Sequence, residues 1–232
     1  TPSVVDERTS SAFSPWSDAE PLATQTPLLR GATYLRRSLV PSLLGARRTN
    51  ENLANQVIEL FELAHIYLRQ EQGVPKEESM LALTSGGDFS MVKGVVEAIL
   101  DTVARGAQIE VETCNHPLLD RDRSCNLRLN GDLLGYLGEV GADGLNRFQL
   151  RSGTTVSELK LSTLLKAAQL VGRQTQLSPY PAVMRDRNVV FDEKVRWSDV
   201  ARVVRQHGGD YLERIEYQET YRDQLRLGKG KK

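Results

Sequence analysis

Asn130-Gly131 stands between two apolar runs, Leu127-Arg128-Leu129 and Leu133-Leu134-Gly135-Tyr136-Leu137, and that placement dictates a hairpin. A two-residue loop that matches the twist of its strands needs φ > 0 at both positions, which Asn and Gly adopt readily. Residues 127–140 therefore read as two antiparallel strands joined directly. Other segments extend the sheet. Residues 57–68 are apolar and rich in β-formers, too long for an edge strand, and are expected to form a buried central one. Residues 80–84 and 109–112 read as short strands, and 156–161 alternates weakly. Asp88 is placed to cap a helix whose residues Phe89, Val92, Val96, Ile99, Leu100 and Val103 share one face. Ser162 is expected to cap a second helix running through Leu170. The sum is an α+β protein with a largely antiparallel sheet.

Leu35, Leu39, Leu43 and Ala46 recur at helical spacing, with Pro41 marking either a kink or a first turn. Residues 9–34 are rich in Ser, Thr, Pro and Ala and read as irregular chain wrapped over other structure. Gln174-Thr175-Gln176-Leu177-Ser178-Pro179 reads as a linker, which divides the chain into domains 1–176 and 177–232. In the second, Trp197-Ser198-Asp199-Val200 opens a helix, Gly208-Gly209 closes it, and 211–217 is extended.

The chain has 232 residues, enough for one or two domains with a real core. Its 30 basic and 30 acidic residues cancel, which excludes a whole-surface nucleic-acid binder and leaves room for a local basic patch. No apolar run reaches the roughly 18 residues of a membrane span, so no membrane partner is expected. The first residues, Thr1-Pro2-Ser3-Val4-Val5-Asp6, lack the basic and hydrophobic regions of a signal peptide. The missing initiator Met and the basic end read as an excised piece of a longer chain. Two cysteines, Cys114 and Cys125, make no disulfide framework and lack metal spacing, which fits a reducing, cytoplasmic setting.

Catalytic constellations are sparse. His65, His116 and His207 are far apart in sequence and show no His-x-x-x-His or Cys-x-x-Cys company, so structural or solvated roles are expected. Cys114 and His116 as a nucleophile pair lack an announced orienting group. Ser85-Gly86-Gly87-Asp88 offers amides to a phosphate, but Asp88 would repel one, and a capped turn is the better reading. Arg36-Arg37 and Arg47-Arg48 read as a solvated helix flank. Gly141-Ala142-Asp143-Gly144-Leu145-Asn146-Arg147 has the composition of a loop. The last eleven residues carry Arg222, Arg226, Lys229, Lys231 and Lys232 against Asp223 alone, next to Tyr217 and Tyr221. Such a cluster can pair phosphates and stack an unpaired base, or simply keep a surface hairpin soluble.

Four segments, the first in two parts, share an order with one known family. Leu35-Arg36-Arg37-Ser38-Leu39-Val40-Pro41-Ser42-Leu43-Leu44 precedes Leu60-Phe61-Glu62-Leu63-Ala64. Asp88-Phe89-Ser90-Met91-Val92-Lys93-Gly94-Val95-Val96-Glu97-Ala98 follows, then Gly135-Tyr136-Leu137-Gly138-Glu139-Val140. Tyr180-Pro181, with Arg185-Asp186-Arg187 and Val189-Val190-Phe191 after it, is the last. Together they resemble the β subunit of bacterial phenylalanyl-tRNA synthetase.

The resemblance implies a module with the class II synthetase fold that has lost its active site, its antiparallel sheet flanked by helices. It implies that the start of a ferredoxin-like α/β sandwich for anticodon binding comes next, with the final helix and strand missing here. No catalytic, cofactor or metal residue is implied for this fragment, since ATP and Mg2+ serve the α subunit. The implied partners are that α subunit, in an (αβ)2 heterotetramer, and tRNA(Phe) during aminoacylation. Subunit contact falls on Leu35, Arg36, Leu39, Leu43 and Leu44, with apolar surface left exposed on their helix. tRNA contact falls on Arg185, Arg187, Tyr221, Arg222, Lys229, Lys231 and Lys232. Two other readings stay open: an interaction module without RNA contact, and a self-sufficient class II ligase, which the missing Arg-x-Glu and Gly-rich motifs oppose.

Overall fold

Asn130 (φ 51°) and Gly131 (φ 85°) both take the left-handed backbone that the tight hairpin requires. In the computed structural model, which describes residues 1–26, 30–107, 109–172 and 179–232, the chain divides into two units, Thr1–Gly172 and Arg173–Lys232. The expected linker, apart from Pro179, lies outside the described residues, as does the expected boundary near 176.

Unit 1 runs β1 (Val4–Val5), α1 (Glu7–Ser10), β2 (Tyr34–Leu35), α2 (Val40–Asn52), β3 (Leu60–Leu68), β4 (Lys76–Ser85), α3 (Phe89–Val103), β5 (Ile109–Thr113), β6 (Leu119–Leu129), β7 (Asp132–Val140), α4 (Ala142–Phe148), β8 (Thr155–Lys160) and α5 (Leu161–Lys166). Strands β3 to β8 form one sheet in the order β3-β4-β8-β7-β6-β5, every neighbouring pair antiparallel. Because side chains alternate across a strand, each strand feeds two cores. Met80, Ala82, Tyr136 and Val156 pack with Leu39, Val40, Leu43 and Leu44 of the α2 region. Leu127, Leu137 and Leu159 pack on the opposite face with Val92, Val96 and Leu100 of α3 and Leu164 of α5. Asp88 caps α3 as expected, its carboxylate accepting from the Met91 amide at 2.8 Å. Full burial of Val92, Val96 and Leu100 stabilises by about 1.5–3 kcal/mol each. Phe89, Ile99 and Val103 are only partly covered.

Several expectations are corrected. The segment at 57–68 is not a central strand: β3 begins at Leu60 and lies at the sheet edge. Its length misled because both its faces are apolar, yet only one meets a core. Leu60, Ala64 and Ile66 pack inward, whereas Phe61 and Leu63 project from the other face. Part of the edge is blunted by Arg36, whose Nε donates to the His65 carbonyl at 2.9 Å while its own carbonyl accepts from the Tyr67 amide. Leu35 belongs to β2, and α2 starts only at Val40, with Pro41 in its first turn. Residues 142–148 are helical rather than a loop. Their glycine is a packing device, since a Cβ on Gly144 would come within 2.6 Å of the Leu118 carbonyl oxygen. Ser162 does not cap α5, which ends at Lys166; its hydroxyl binds Glu78 instead.

In unit 2 the described residues form α6 (Trp197–His207) and the short α7 (Gln224–Leu227). Gly208 is the C-cap of α6 and Gly209 follows at φ 65°, which closes the helix where the glycines stand. Among these described residues no strand forms at 185–191 or 211–217; an isolated antiparallel bridge joins Asp192 to Lys231. The truncated ferredoxin-like sandwich expected here is not shown by the described residues. Ala201 is the sole buried residue of α6, so its apolar side has no sheet to cover.

Candidate functional site

The sheet face beneath α2 carries the densest polar constellation among the described residues. Adjacent antiparallel strands β7 and β8 place Tyr136 opposite Glu158, both fully buried. Four donors converge on the Glu158 carboxylate: the Leu39 amide at 2.6 Å, the Ser38 hydroxyl at 2.8 Å, the Trp16 indole N–H at 2.8 Å and the Tyr136 hydroxyl at 3.0 Å. Burial pushes the Glu158 carboxyl above its usual range against those hydrogen bonds. Burial first, and the Glu158 charge second, push the Tyr136 phenol well above its own. His116 lies on Tyr136 at 4.8 Å between ring centroids and edge-on to Phe13 at 4.7 Å. Sequence reasoning missed Trp16, Ser38, Tyr136 and Glu158 as a group. The one signal available was a Glu amid the apolar residues of 156–161.

The constellation holds structure together and has no nucleophile in it. His116 Nδ1 accepts from the Leu118 amide at 3.2 Å, and burial lowers its pKa to about 4, so it is neutral. Burial raises the Cys114 thiol, opposite to what a nucleophile needs. Cys125 is pushed up to about 11 by burial. The two thiols pack into cores on opposite faces of the sheet. At the Ser85–Asp88 turn the amides that could cradle a phosphate are taken. Gly87 N–H donates to Ser85 Oγ at 2.8 Å and Phe89 N–H to Glu139 at 3.2 Å. Among the described residues no group of three His, Cys, Asp or Glu is placed to hold a metal.

The residues expected at a subunit interface turn inward. Leu39, Leu43 and Leu44 are core, so α2 does not expose them. Arg36 is buried too, ion-paired to Glu62 at 2.8 Å. Arg47 is buried on the Ile58 carbonyl at 2.7 Å, so neither it nor Arg36 is a solvated flank. Just beyond lie four exposed apolar side chains: Leu53 (71% exposed), Val57 (79%), Phe61 (75%) and Leu63 (59%). All four occupy the end of α2, the β3 edge strand and the connection between them.

The cations of unit 2 fall into two groups. Arg222 donates twice to Glu193 Oε1, at 2.9 and 2.7 Å, Lys231 pairs Asp192 at 2.7 Å and Lys232 donates to the Glu193 carbonyl. Tyr221 donates to Asp223 at 2.9 Å. Among the described residues, no ion pair or hydrogen bond engages Arg185, Arg187 or Lys229. The two arginines expected to share a strand face lie on irregular chain.

A sequence profile described as the phenylalanyl tRNA synthetase beta chain CLM domain matches residues 1–161. The chain belongs to this family. Phenylalanine–tRNA ligase β subunits are its relatives in sequence. That of Rhodopirellula baltica is 35% identical over 100% of this chain and 36% of the relative, and that of Bacillus subtilis is 30% identical over 89% and 27%. The chain thus spans about a third of the length of these β subunits. In fold, the chain is similar to pyrrolysyl-tRNA synthetase of Desulfitobacterium hafniense. Two structures of that enzyme each give a TM-score of 0.53 over 71% of this chain, at 20% and 17% identity, covering 58% and 60% of theirs. The mixed α/β architecture around a six-stranded antiparallel sheet is similar in fold to that of a class II synthetase. No helix among the described residues is long and apolar enough to cross a membrane.

Proposed function

We propose that the β-chain family member described here is a non-catalytic part of phenylalanine–tRNA ligase, which docks the catalytic α subunit through the Leu53–Val57–Phe61–Leu63 surface. The exposed apolar edge carries this reading. A soluble domain rarely leaves four large apolar side chains open on one edge strand and its approach unless another surface covers them. Pairing of two such modules in an (αβ)2 heterotetramer, with ATP and Mg2+ used by the α subunit, is consistent with it. The closed sheet face favours silence over adenylation: Trp16, Tyr136 and Glu158 satisfy one another there by hydrogen bonds. An ATP–pyrophosphate exchange signal from the purified chain would overturn that part.

Docking is tested in the full-length β subunit. Phe61→Asp with Leu63→Asp should reduce co-purification with the α subunit at least about tenfold, the loss expected when a hot-spot pair is made polar. Because both residues are exposed, far-UV circular dichroism should be unchanged. Undiminished complex would place the interface elsewhere. Leu39→Asp is no substitute for this pair, since it buries a charge in the core and should unfold unit 1.

tRNA contact belongs to the same proposal and rests on Arg185, Arg187 and Lys229. Arg185→Gln should weaken tRNA(Phe) binding by the full-length ligase and flatten its salt dependence by roughly 0.7–0.9 in slope for each phosphate no longer neutralised. Arg222→Gln should do less, because Glu193 already neutralises that guanidinium. An unchanged slope for Arg185→Gln would favour the rival reading, an interaction module without RNA contact.

A further inference from the structure

Trp16 is recognised as a ligand would be. Its indole N–H donates to Glu158 Oε2 at 2.8 Å, the Lys160 ammonium lies 5.1 Å from its ring centroid, and the Tyr136 ring stands 5.9 Å away, tilted by 40°. A carboxylate for the donor, a cation for the π face and an aromatic wall are three independent determinants of one planar ring. The pocket does not depend on its occupant for assembly. Glu158 keeps the Leu39 amide, the Ser38 hydroxyl and the Tyr136 hydroxyl when the indole leaves, and these stand on β7, β8 and the start of α2. The occupant, by contrast, rides on irregular chain. Side chains tether residues 13–19: Ser14 Oγ donates to the Arg37 carbonyl at 2.8 Å, and Arg37 Nη1 donates to the carbonyls of Ser17, at 3.2 Å, and Ala19.

We propose that this pocket is a binding site for a planar aromatic ring bearing one N–H donor, with Trp16 as its resident ligand and residues 13–19 as a strap able to leave it. This goes beyond the assembly role, because it requires neither the α subunit nor RNA. An intramolecular occupant is held at high effective concentration, so a free competitor binds only once the strap is cleared.

The test removes the resident and supplies the ligand in trans. Trp16→Ala empties an aromatic-sized space that keeps the Glu158 acceptor, the Lys160 ammonium and the Tyr136 wall for a ring supplied in trans. Indole is the probe. At about tenfold saturation it should raise the melting temperature of Trp16→Ala by about 3–5 °C and leave the wild-type chain unmoved. 1-Methylindole, which keeps the ring and lacks the donor, should bind about tenfold more weakly. If Trp16→Ala does not fold alone, refolding from urea with and without indole reads the same question, and recovery with indole alone supports the site. No stabilisation, no rescue, or equal effects of indole and 1-methylindole would overturn it, leaving Trp16 a packing residue whose space collapses when it goes.

Discussion

Replacing Glu158 by leucine is expected to cost unit 1 about 3–5 kcal/mol, a large share of the roughly 5–15 kcal/mol that holds a domain folded. Two effects oppose each other. Leucine removes the desolvation cost of a fully buried carboxyl, and such swaps are sometimes stabilising when both members of a buried pair become apolar. Here one side alone would change. The Leu39 amide, the Ser38 hydroxyl and the Tyr136 hydroxyl would remain buried and lose their acceptor, as would the half-buried Trp16 indole. Hydroxyls can turn to other acceptors and the Trp16 strap can shift, but the Leu39 N–H is fixed by the backbone, at about 1–3 kcal/mol when orphaned. Glu158→Gln keeps the volume and one acceptor oxygen and should cost about 1–2 kcal/mol. Urea midpoints followed by far-UV circular dichroism should therefore fall in the order wild type, glutamine, leucine. Equal midpoints for the two variants would mean that the carboxylate does not hold the network.

What could be read from the sequence was local. The Asn130-Gly131 turn, the Asp88 cap and the helix closed by Gly208-Gly209 each rest on one residue's conformational preference, and each forms where it stands. What failed was assignment that depends on tertiary neighbours. Periodicity placed Leu39 and Leu43 correctly on one helical face but could not say whether that face meets a core or a partner; it meets Tyr136, Met80 and Val156. Apolarity on both faces of 57–68 has two causes, a central strand or an edge strand carrying a contact surface, and the sequence does not separate them. Gly144 signalled a loop because a close approach to another segment, here the Leu118 carbonyl, has no local signature. The Glu158 constellation was hidden for the same reason, its donors lying 22 to 142 positions away in sequence. The family resemblance held over the whole chain, and in unit 1 many of the residues carrying it are core positions. In unit 2 the sequence likeness continues, while the matching positions among the described residues are mostly exposed and form no sheet.

Acidification should destabilise unit 1 through His116 before its carboxylates are titrated. Burial against Phe13 and Tyr136 holds the imidazole pKa at about 4, below the ordinary 6.5. The native state therefore binds fewer protons than the unfolded chain in that interval. His116 contributes stability that is whole above pH 6.5 and is lost as pH falls toward 4. Over the full interval the loss is about 3 kcal/mol, at about 1.36 kcal/mol per unit. Protonation also takes the Nδ1 lone pair that accepts from the Leu118 amide, so a backbone donor is orphaned in the same step. Glu158 acts with the opposite sign. Its carboxyl is raised by burial, so falling pH relieves its charge and offsets part of the loss. Glu51, Glu62 and Glu78 are lowered by their partners, and their contribution disappears only further down, through and below the usual carboxylate range. Separating these calls for His116→Phe, which keeps an aromatic ring against Tyr136 and cannot titrate. Its urea midpoint should be lower than the wild type at neutral pH, because the Leu118 amide has lost its acceptor. Between pH 6.5 and about 4.5 it should then stay nearly flat while the wild-type midpoint drops by the equivalent of about 2–3 kcal/mol. Parallel declines in the two proteins would show that the buried imidazole is not the group through which acid acts.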